Sequence, residues 1–510
     1  MRTQIYFFLL IFFLAGVLAH AQIGPPTAAS QSTLATQLPL SGRGVQGGGV
    51  TVTQSPVPGT TASVNTLNTS IQTSGPFAGS AVGAAFSGRL SFREAIWRGL
   101  EYNLGAFGLA QALRQSQGQA RVARSGLLPN LSTSLSETEQ QTNLAVAGIH
   151  FNSPIPGLSI PTVVGPFNYF DLRARLTQSI ADLTAWKNYR SAQANARASE
   201  LSAKDARDVV TLAVGGAYLQ VIAAKARVAS ARAQLQTAKA LFEQTSQQRS
   251  VGVVAQTDVN RSRVQMLTQQ ERLTTLENDL AKQKINLARL TGLPVNDRFD
   301  LSDDMPFSQA PTIGVEDALR QAYANRQDLK AAETQIQAAQ LTKTAAKAER
   351  LPSISLSADY GANGLTPDQS HGTFAVVGTL SVPIWRGGRT EGDIEQADAA
   401  LSQRRAEAED LRGKIEADVR SAFLDLQAAT SQVDVANQNL QVSKETLDLT
   451  RQRFEAGVSD NVEVVQAQEA VASAELDCIN SVFAHNVAKL SLARAIGGAP
   501  ENLSHFLKLP

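Results

Sequence analysis

Two phrases, Arg249–Val259 ("RSVGVVAQTDV") and Phe454–Val464 ("FEAGVSDNVEV"), interrupt Ala- and Gln-rich stretches that otherwise read as long helix. They lie 205 positions apart, and each sets a Gly-Val six residues or fewer ahead of a carboxylate. Glycine supplies the backbone freedom for a reversal. Each phrase is therefore read as a break between a long helix and a shorter one that returns beside it.

Outward from each break the helices keep a seven-residue rhythm. Val214, Val221, Val228, Leu235 and Phe242 recur in the first, with Ala217, Ala224, Ala231 and Ala238 three positions later. Val419, Leu426, Val433, Leu440, Leu447 and Phe454 do the same in the second, followed by Ala422, Ala429, Ala436 and Ser443. Large residues at one seam position and small ones at the other predict helices packed closely side by side, as in coiled coils. The chain's one cysteine, Cys478, falls on such a seam, where a buried structural thiol is expected, and it permits no internal disulfide.

The pattern is written twice. "LSFREAIWRGLEYNLGAFGLAQALRQSQGQARVARSGLLPNLSTSLS" matches "IGVEDALRQAYANRQDLKAAETQIQAAQLTKTAAKAERLPSISLSADYG", with Asn103 set on Asn325 and Pro129 on Pro352. Residues 89–302 form the first repeat and 303–499 the second, with 500–510 as a tail. Each reads helix, two strands, a very long helix, the break, and a returning helix. Residues 184–250 as one helix span about 100 Å, whereas the return over 257–291 covers about 50 Å. The helix near 106–125 adds about 30 Å, roughly the missing length. Stacked end to end with the return, it completes an antiparallel partner, so each repeat supplies two full-length struts.

The strand runs alternate. "FNYFDLRARLTQSI" sets Phe170, Leu172, Ala174, Leu176 and Ile180 against Asp171, Arg173, Arg175 and Thr177. "FAVVGTLSVPI" and "LPSISLSADY" place Phe374, Val376, Leu380, Val382 and Ile384, and Ile354, Leu356 and Tyr360, on single faces. Runs of this length, apolar on one side and polar on the other, suit a transmembrane β-barrel with a wet interior. Four strands cannot close a barrel, and lipid tolerates no open edge. Other subunits must complete it.

The remaining features bound the class. "MRTQIYFFLLIFFLAGVLAHAQ" is a signal peptide over 1–21 with an Ala19-His20-Ala21 cleavage site, so the protein is exported. Residues 22–88, rich in Gly, Ser, Thr and Pro, read as a disordered leader. Balanced charge, 46 basic against 45 acidic residues, gives no basic surface for nucleic acid. His20, His150, His371, His485 and His505 make no metal-ligand spacing, and no phosphate loop is present, so neither catalysis nor a cofactor is expected.

Taken together, residues 89–499 resemble the TolC-type outer-membrane efflux proteins in duplication, element order and paired Gly-Val breaks. The resemblance implies an α+β membrane protein of the outer membrane that extends into the periplasm. It further implies a homotrimer with a twelve-stranded barrel in outer-membrane lipid and twelve helical struts forming a periplasmic tunnel. It implies a channel of a tripartite efflux or type I secretion system, served by an inner-membrane transporter. Gly252, Val253, Gly457 and Val458 become hairpin tips that touch a periplasmic adaptor protein. Thr257 and Ser459 stand where hydroxyls cap helix starts. Glu463 matches one of the family's two pore-ring carboxylates, Gln466 falls where the second is expected, and Asp460 adds charge off the ring positions. Thr257 and Asp258 match residues that hold the mouth shut, but their usual tyrosine and arginine partners are replaced by Phe454 and Ser459. Two non-channel readings compete. A periplasmic adaptor normally carries one hairpin and no membrane-type strands, and an exported structural coiled coil has no need of two strand pairs.

Overall fold

The computed structural model describes residues 49–56, 63–70, 75–83, 86, 88–146, 161–296, 298–304, 307–309 and 313–499. The signal-peptide segment and the tail lie outside them. The long helices form where the seven-residue rhythm requires: α3 (Leu183–Ser250) and α7 (Arg389–Glu455), of 68 and 67 residues, each followed by a 36-residue return, α4 (Gln256–Thr291) and α8 (Asn461–Ile496). Preceding them are α1 (Phe92–Tyr102) and α2 (Leu104–Ser125) in the first repeat, and α5 (Val315–Asn325) and α6 (Gln327–Ala348) in the second.

Four struts stand abreast. Toward the strands α3 packs between α2 and α6, and α7 beside α6; toward the tips α3 packs between α4 and α8, and α7 beside α8. Thus α2 continues α4, and α6 continues α8, as the length arithmetic requires. At the first joint Gly292, in the left-handed region at φ 72°, accepts at its carbonyl from Gly83 N–H and lies against Tyr102. At the second, Gly497 lies against the backbone of Asn325 and Arg326. The residue equivalent to Asn103 is consequently Arg326, one position beyond the Asn325 that sequence matching selects. Asn103 ends α1 and begins α2, and Arg326 ends α5 and begins α6. The two joints differ in chemistry. Buried Asn103 bonds to the Phe77 carbonyl and the Gly105 amide, whereas buried Arg326 pairs with Asp328 at 2.6 Å and Asp418 at 3.1 Å.

Beyond the struts, β4 (Asn130–Asn143), β5 (Val163–Ala181), β7 (Ser353–Gly364) and β8 (His371–Ser381) form one antiparallel sheet in that order. The register places Leu131, Leu172, Leu176, Tyr360, Phe374 and Val376 on one face, with Leu131, Tyr360 and Phe374 each more than 70% exposed. The opposite face carries Arg173, paired with Asp171 and Asp359 at 3.2 and 3.0 Å. Among the described residues, no further strand pairs with β4 or β8, and both are open edges.

Two further expectations are corrected. The leader is ordered in part: β1 (Gly49–Pro56) pairs antiparallel with β2 (Ser63–Ser70), and Phe77, in the turn Gly75–Ala78, is buried. Phe77 fills the space that Gly105, lacking a side chain, leaves at the start of α2. The folded body therefore begins before residue 89. It also includes a parallel pair of β3 (Gly88–Leu90) with β6 (Phe299–Leu301). Secondly, Cys478 is half-buried rather than enclosed, with its Sγ 3.2 Å from Asn437 Oδ1.

The main core sits midway along the struts. Phe92, Val210, Val214, Tyr218, Leu219, Leu287, Leu490 and Phe483 interlock there. The Tyr218 hydroxyl shares its one proton between the Leu90 carbonyl at 2.8 Å and Asp303 Oδ2 at 2.7 Å, tying α3 to both short strands' surroundings. One stretch of α3 is apolar enough to cross a membrane by length and composition, but 83% of it is buried by this packing. That accounts for its apolarity.

Candidate functional site: the paired hairpin tips

The Gly-Val pairs fold identically. At the first tip Gly252 has φ 84°, its amide donates to the Arg249 carbonyl, and the Val253 amide to the Gln248 carbonyl. At the second, Gly457 has φ 72°, its amide donates to Phe454, and the Val458 amide to Arg453. Both are six-to-one, five-to-two helix terminations that require a left-handed residue just past the cap. Such motifs often bury the residue after the glycine against the helix. Here Val253 and Val458 are 70% and 71% exposed, and Val251 is 75% exposed. The apolar surface at the tips is left open.

The returning helices begin differently. Asp460, not Ser459, caps α8, accepting from the Val462 amide at 3.0 Å and the Glu463 amide at 3.3 Å. Ser459 instead donates to Glu463 Oε2 at 2.6 Å. Thr257 makes no cap either. It lies exposed one residue inside α4, whose cap position is Ala255 with no side-chain bond. Helix starts were placed one or two residues off because several capping residue types stand side by side, and backbone dihedrals decide among them.

The 205-residue offset sets Glu463 on Asp258 and Gln466 on Arg261. The two first-turn acids are held differently. Asp258 pairs along its own helix with Arg261 at 3.0 Å. Glu463, half-exposed, pairs across the tip with Arg453 at 3.5 Å. Gln466 is exposed one turn further on and carries no charge. Phe454 packs against the small core of Leu241, Leu447, Val464, Ala467 and Val471.

Sequence reading passed over Asn461. It is 2% exposed and donates from Nδ2 to the Asp258 carbonyl at 3.2 Å, joining the two tips directly. Arg453 was also passed over, although a basic residue ten positions before Glu463 across a glycine turn is the available signal for it. The tips hold no nucleophile–base pair, and no cluster of three metal-ligating side chains occurs among the described residues.

Comparison with known proteins gives this arrangement its context. Outer membrane efflux proteins as a family match residues 108–293 and 318–498, one block in each repeat. The pyoverdine export outer membrane protein OpmQ of Pseudomonas putida is 26% identical over 404 residues, 76% of this chain and 82% of that one. Outer membrane protein TolC of Escherichia coli is 24% identical over 389 residues, covering 74% and 76% respectively. Among solved structures, the Campylobacter jejuni CmeC outer membrane channel superposes with a TM-score of 0.69 at 17% identity, over 81% of this chain and 89% of that one. With both repeats matched and the fold shared, the chain belongs to the outer membrane efflux protein family and resides in the outer membrane.

Proposed function

We propose that three copies of this chain form one continuous conduit, through which an inner-membrane transporter passes substrates across the periplasm and outer membrane. The observation that carries this is the open four-stranded sheet, with an apolar exposed face, a charged opposite face and two unpaired edges. Hydrocarbon does not hydrogen-bond to free backbone amides and carbonyls, so a lone sheet of this kind is excluded from a bilayer. Three copies joined β8 to β4 give twelve antiparallel strands with no edge. The helices support the same assembly: Val435, Val442 and Leu449 on α7 recur every seven residues at 65%, 61% and 55% exposure, an apolar seam left uncovered by the described residues of its own chain.

In this assembly the tips face the periplasm. The exposed Val251, Val253 and Val458 dock a periplasmic adaptor protein, and Glu463, with Gln466 beyond it, lines the narrow mouth. Asp460 serves mainly as a cap. Asp258 and Thr257 act in closure through the Asp258 carbonyl held by Asn461, not through the absent tyrosine and arginine partners.

The mass of the detergent-solubilised protein tests the assembly. A trimer is expected, and a monodisperse monomer contradicts it. Val253→Asp with Val458→Asp is expected to abolish binding of the adaptor while leaving the trimer intact. Unchanged binding would remove the tips from the contact.

A further inference from the structure

Where α3 leaves β5, an exposed aromatic ring carries two cations. Trp186 is 41% exposed, with Lys187 Nζ 4.9 Å and Arg190 Cζ 5.5 Å from its ring centroid. On the same helix Ser191 bonds to the Ala338 carbonyl and Thr342 of α6, and Ser199 bonds to Ser116 of α2. At 100° per residue, Trp186 lies about 140° round α3 from both contacts, with Arg190 about 100° and Leu183 about 80° from Ser191. All three side chains are exposed.

The Ser116–Ser199 bond also sets α2 antiparallel to α3, so Arg124 comes level with Ser191 and Arg121 falls about one turn further from the strands. Both arginines are exposed. Among the described residues, none of Arg121, Arg124, Lys187 and Arg190 has a carboxylate at ion-pair distance; the ion pairs at this level belong to the second repeat. There Arg350 pairs with Glu391, Arg386 with Glu349 and Arg389 with Asp393. The two junctions therefore differ: one is compensated and the other is cationic.

The cationic junction is also graded in polarity. Leu183 and Leu128, 41% and 45% exposed, lie nearest the strands, Trp186 next, and Arg190 roughly 13 Å beyond the end of β5. Tryptophan settles at headgroup depth in a membrane interface. Cations just outside it meet lipid phosphates, to which guanidinium groups bind through paired hydrogen bonds. Holding Lys187 and Arg190 over the ring limits the ordering that binding must impose on them.

We propose that Trp186, Lys187, Arg190, Arg124 and Arg121 form a site for anionic phospholipid headgroups in the leaflet on the helical side of the sheet. The proposal rests on the reading of the sheet as the membrane-spanning part. The site selects anionic over zwitterionic lipid, and it lies in the first repeat alone.

Trp97→Phe with Trp385→Phe leaves Trp186 as the only tryptophan in the protein. This variant is reconstituted in phosphatidylcholine vesicles containing, at equal mole fraction, either brominated phosphatidylglycerol or brominated phosphatidylcholine, and quenching of Trp186 is read. Phosphatidylglycerol is expected to occupy the site on the order of tenfold more strongly. In the same background, Lys187→Gln with Arg190→Gln should bring the ratio close to one. Arg121→Gln with Arg124→Gln, which leaves the ring and its two cations in place, should lower it by a smaller factor. Equal quenching by the two lipids, or a ratio that survives both double variants, overturns the headgroup site while leaving the membrane reading intact. Quenching by neither lipid overturns both.

Discussion

Replacing Arg453 with glutamine is expected to make the periplasmic mouth more cation-selective and easier to block. In the protein Arg453 Nη1 lies 3.5 Å from Glu463 Oε2, with both side chains about half-exposed. In water the attraction of such a pair is ~1.2 kcal/mol. In a trimer with Glu463 carboxylates ~7 Å apart, each repels its two neighbours by ~0.6 kcal/mol apiece. The two effects nearly cancel, so the wild-type ring presents a weak field. A divalent cation on the axis, ~7 Å from three guanidinium groups, is opposed by ~3.5 kcal/mol unscreened and by ~1.5 kcal/mol at physiological salt. Removing those groups should tighten divalent block about tenfold. Glu463→Gln should act in the opposite direction and weaken both selectivity and block, more so because Gln466 supplies no second ring. Reversal potentials and periplasmic-side block in planar bilayers measure both effects. If neither substitution changes selectivity or block, Glu463 is an ordinary solvated helix residue, and the constriction is elsewhere.

Three further outcomes follow from the packing. Arg494 and fully buried Asp205 join α8 to α3 at 2.8 Å, so Arg494→Met should cost about 3–5 kcal/mol in denaturant unfolding, with much of it restored by adding Asp205→Asn. Buried His485, its pKa pushed down to about 4 by desolvation and then by Lys489 against the opposing pull of Asp434, is held neutral. Its folded-state pKa lies below the unfolded value, so its contribution is full above about pH 6.5 and falls toward pH 4, on the order of 2 kcal/mol once screening is allowed for; His485→Gln should flatten that part of the pH–stability curve. Gly457→Ala, at φ 72°, should cost about 1–2 kcal/mol and loosen the second tip in hydrogen exchange, whereas Gly392→Ala, inside α7 with open space around it, should stabilise slightly.

The struts were legible because their signal is long and repetitive: seam residues such as Val221 and Val433 recur over many turns, and helix rise converts residue counts into lengths. The end-to-end stacking of α2 on α4 followed from that arithmetic alone. The short elements were not legible. β3 and β6 are three residues each, pair across some 210 positions, and carry no periodic signal. Phe77 lies in a Gly- and Ser-rich segment that reads as disordered, and its burial depends on the gap at Gly105, which only the folded structure reveals. The Asn103–Asn325 match misled because residue identity outweighed geometry, while Arg326 fills the joint with an ionic cluster instead of an amide. At the tips the Gly-Val terminations were plain in the sequence, but the partner of Glu463 was not, since Arg453 and Glu463 meet only after the chain has reversed.

If the open edges of the sheet meet between copies, cysteines placed across the β8–β4 contact cross-link one chain to the next. In a Cys478→Ser background, a cysteine at Ala375 of β8 is combined in turn with one at Ser132, Ser134 or Ser136 of β4, all on the charged face of the sheet. Within one chain these positions are separated by the two central strands, so a disulfide requires two copies. Oxidation in native outer membranes should give, for at least one combination, a ladder ending at a covalent trimer on non-reducing gels. If all combinations remain monomeric under conditions that oxidise an exposed control pair, the edges do not meet and the chain does not form the proposed barrel.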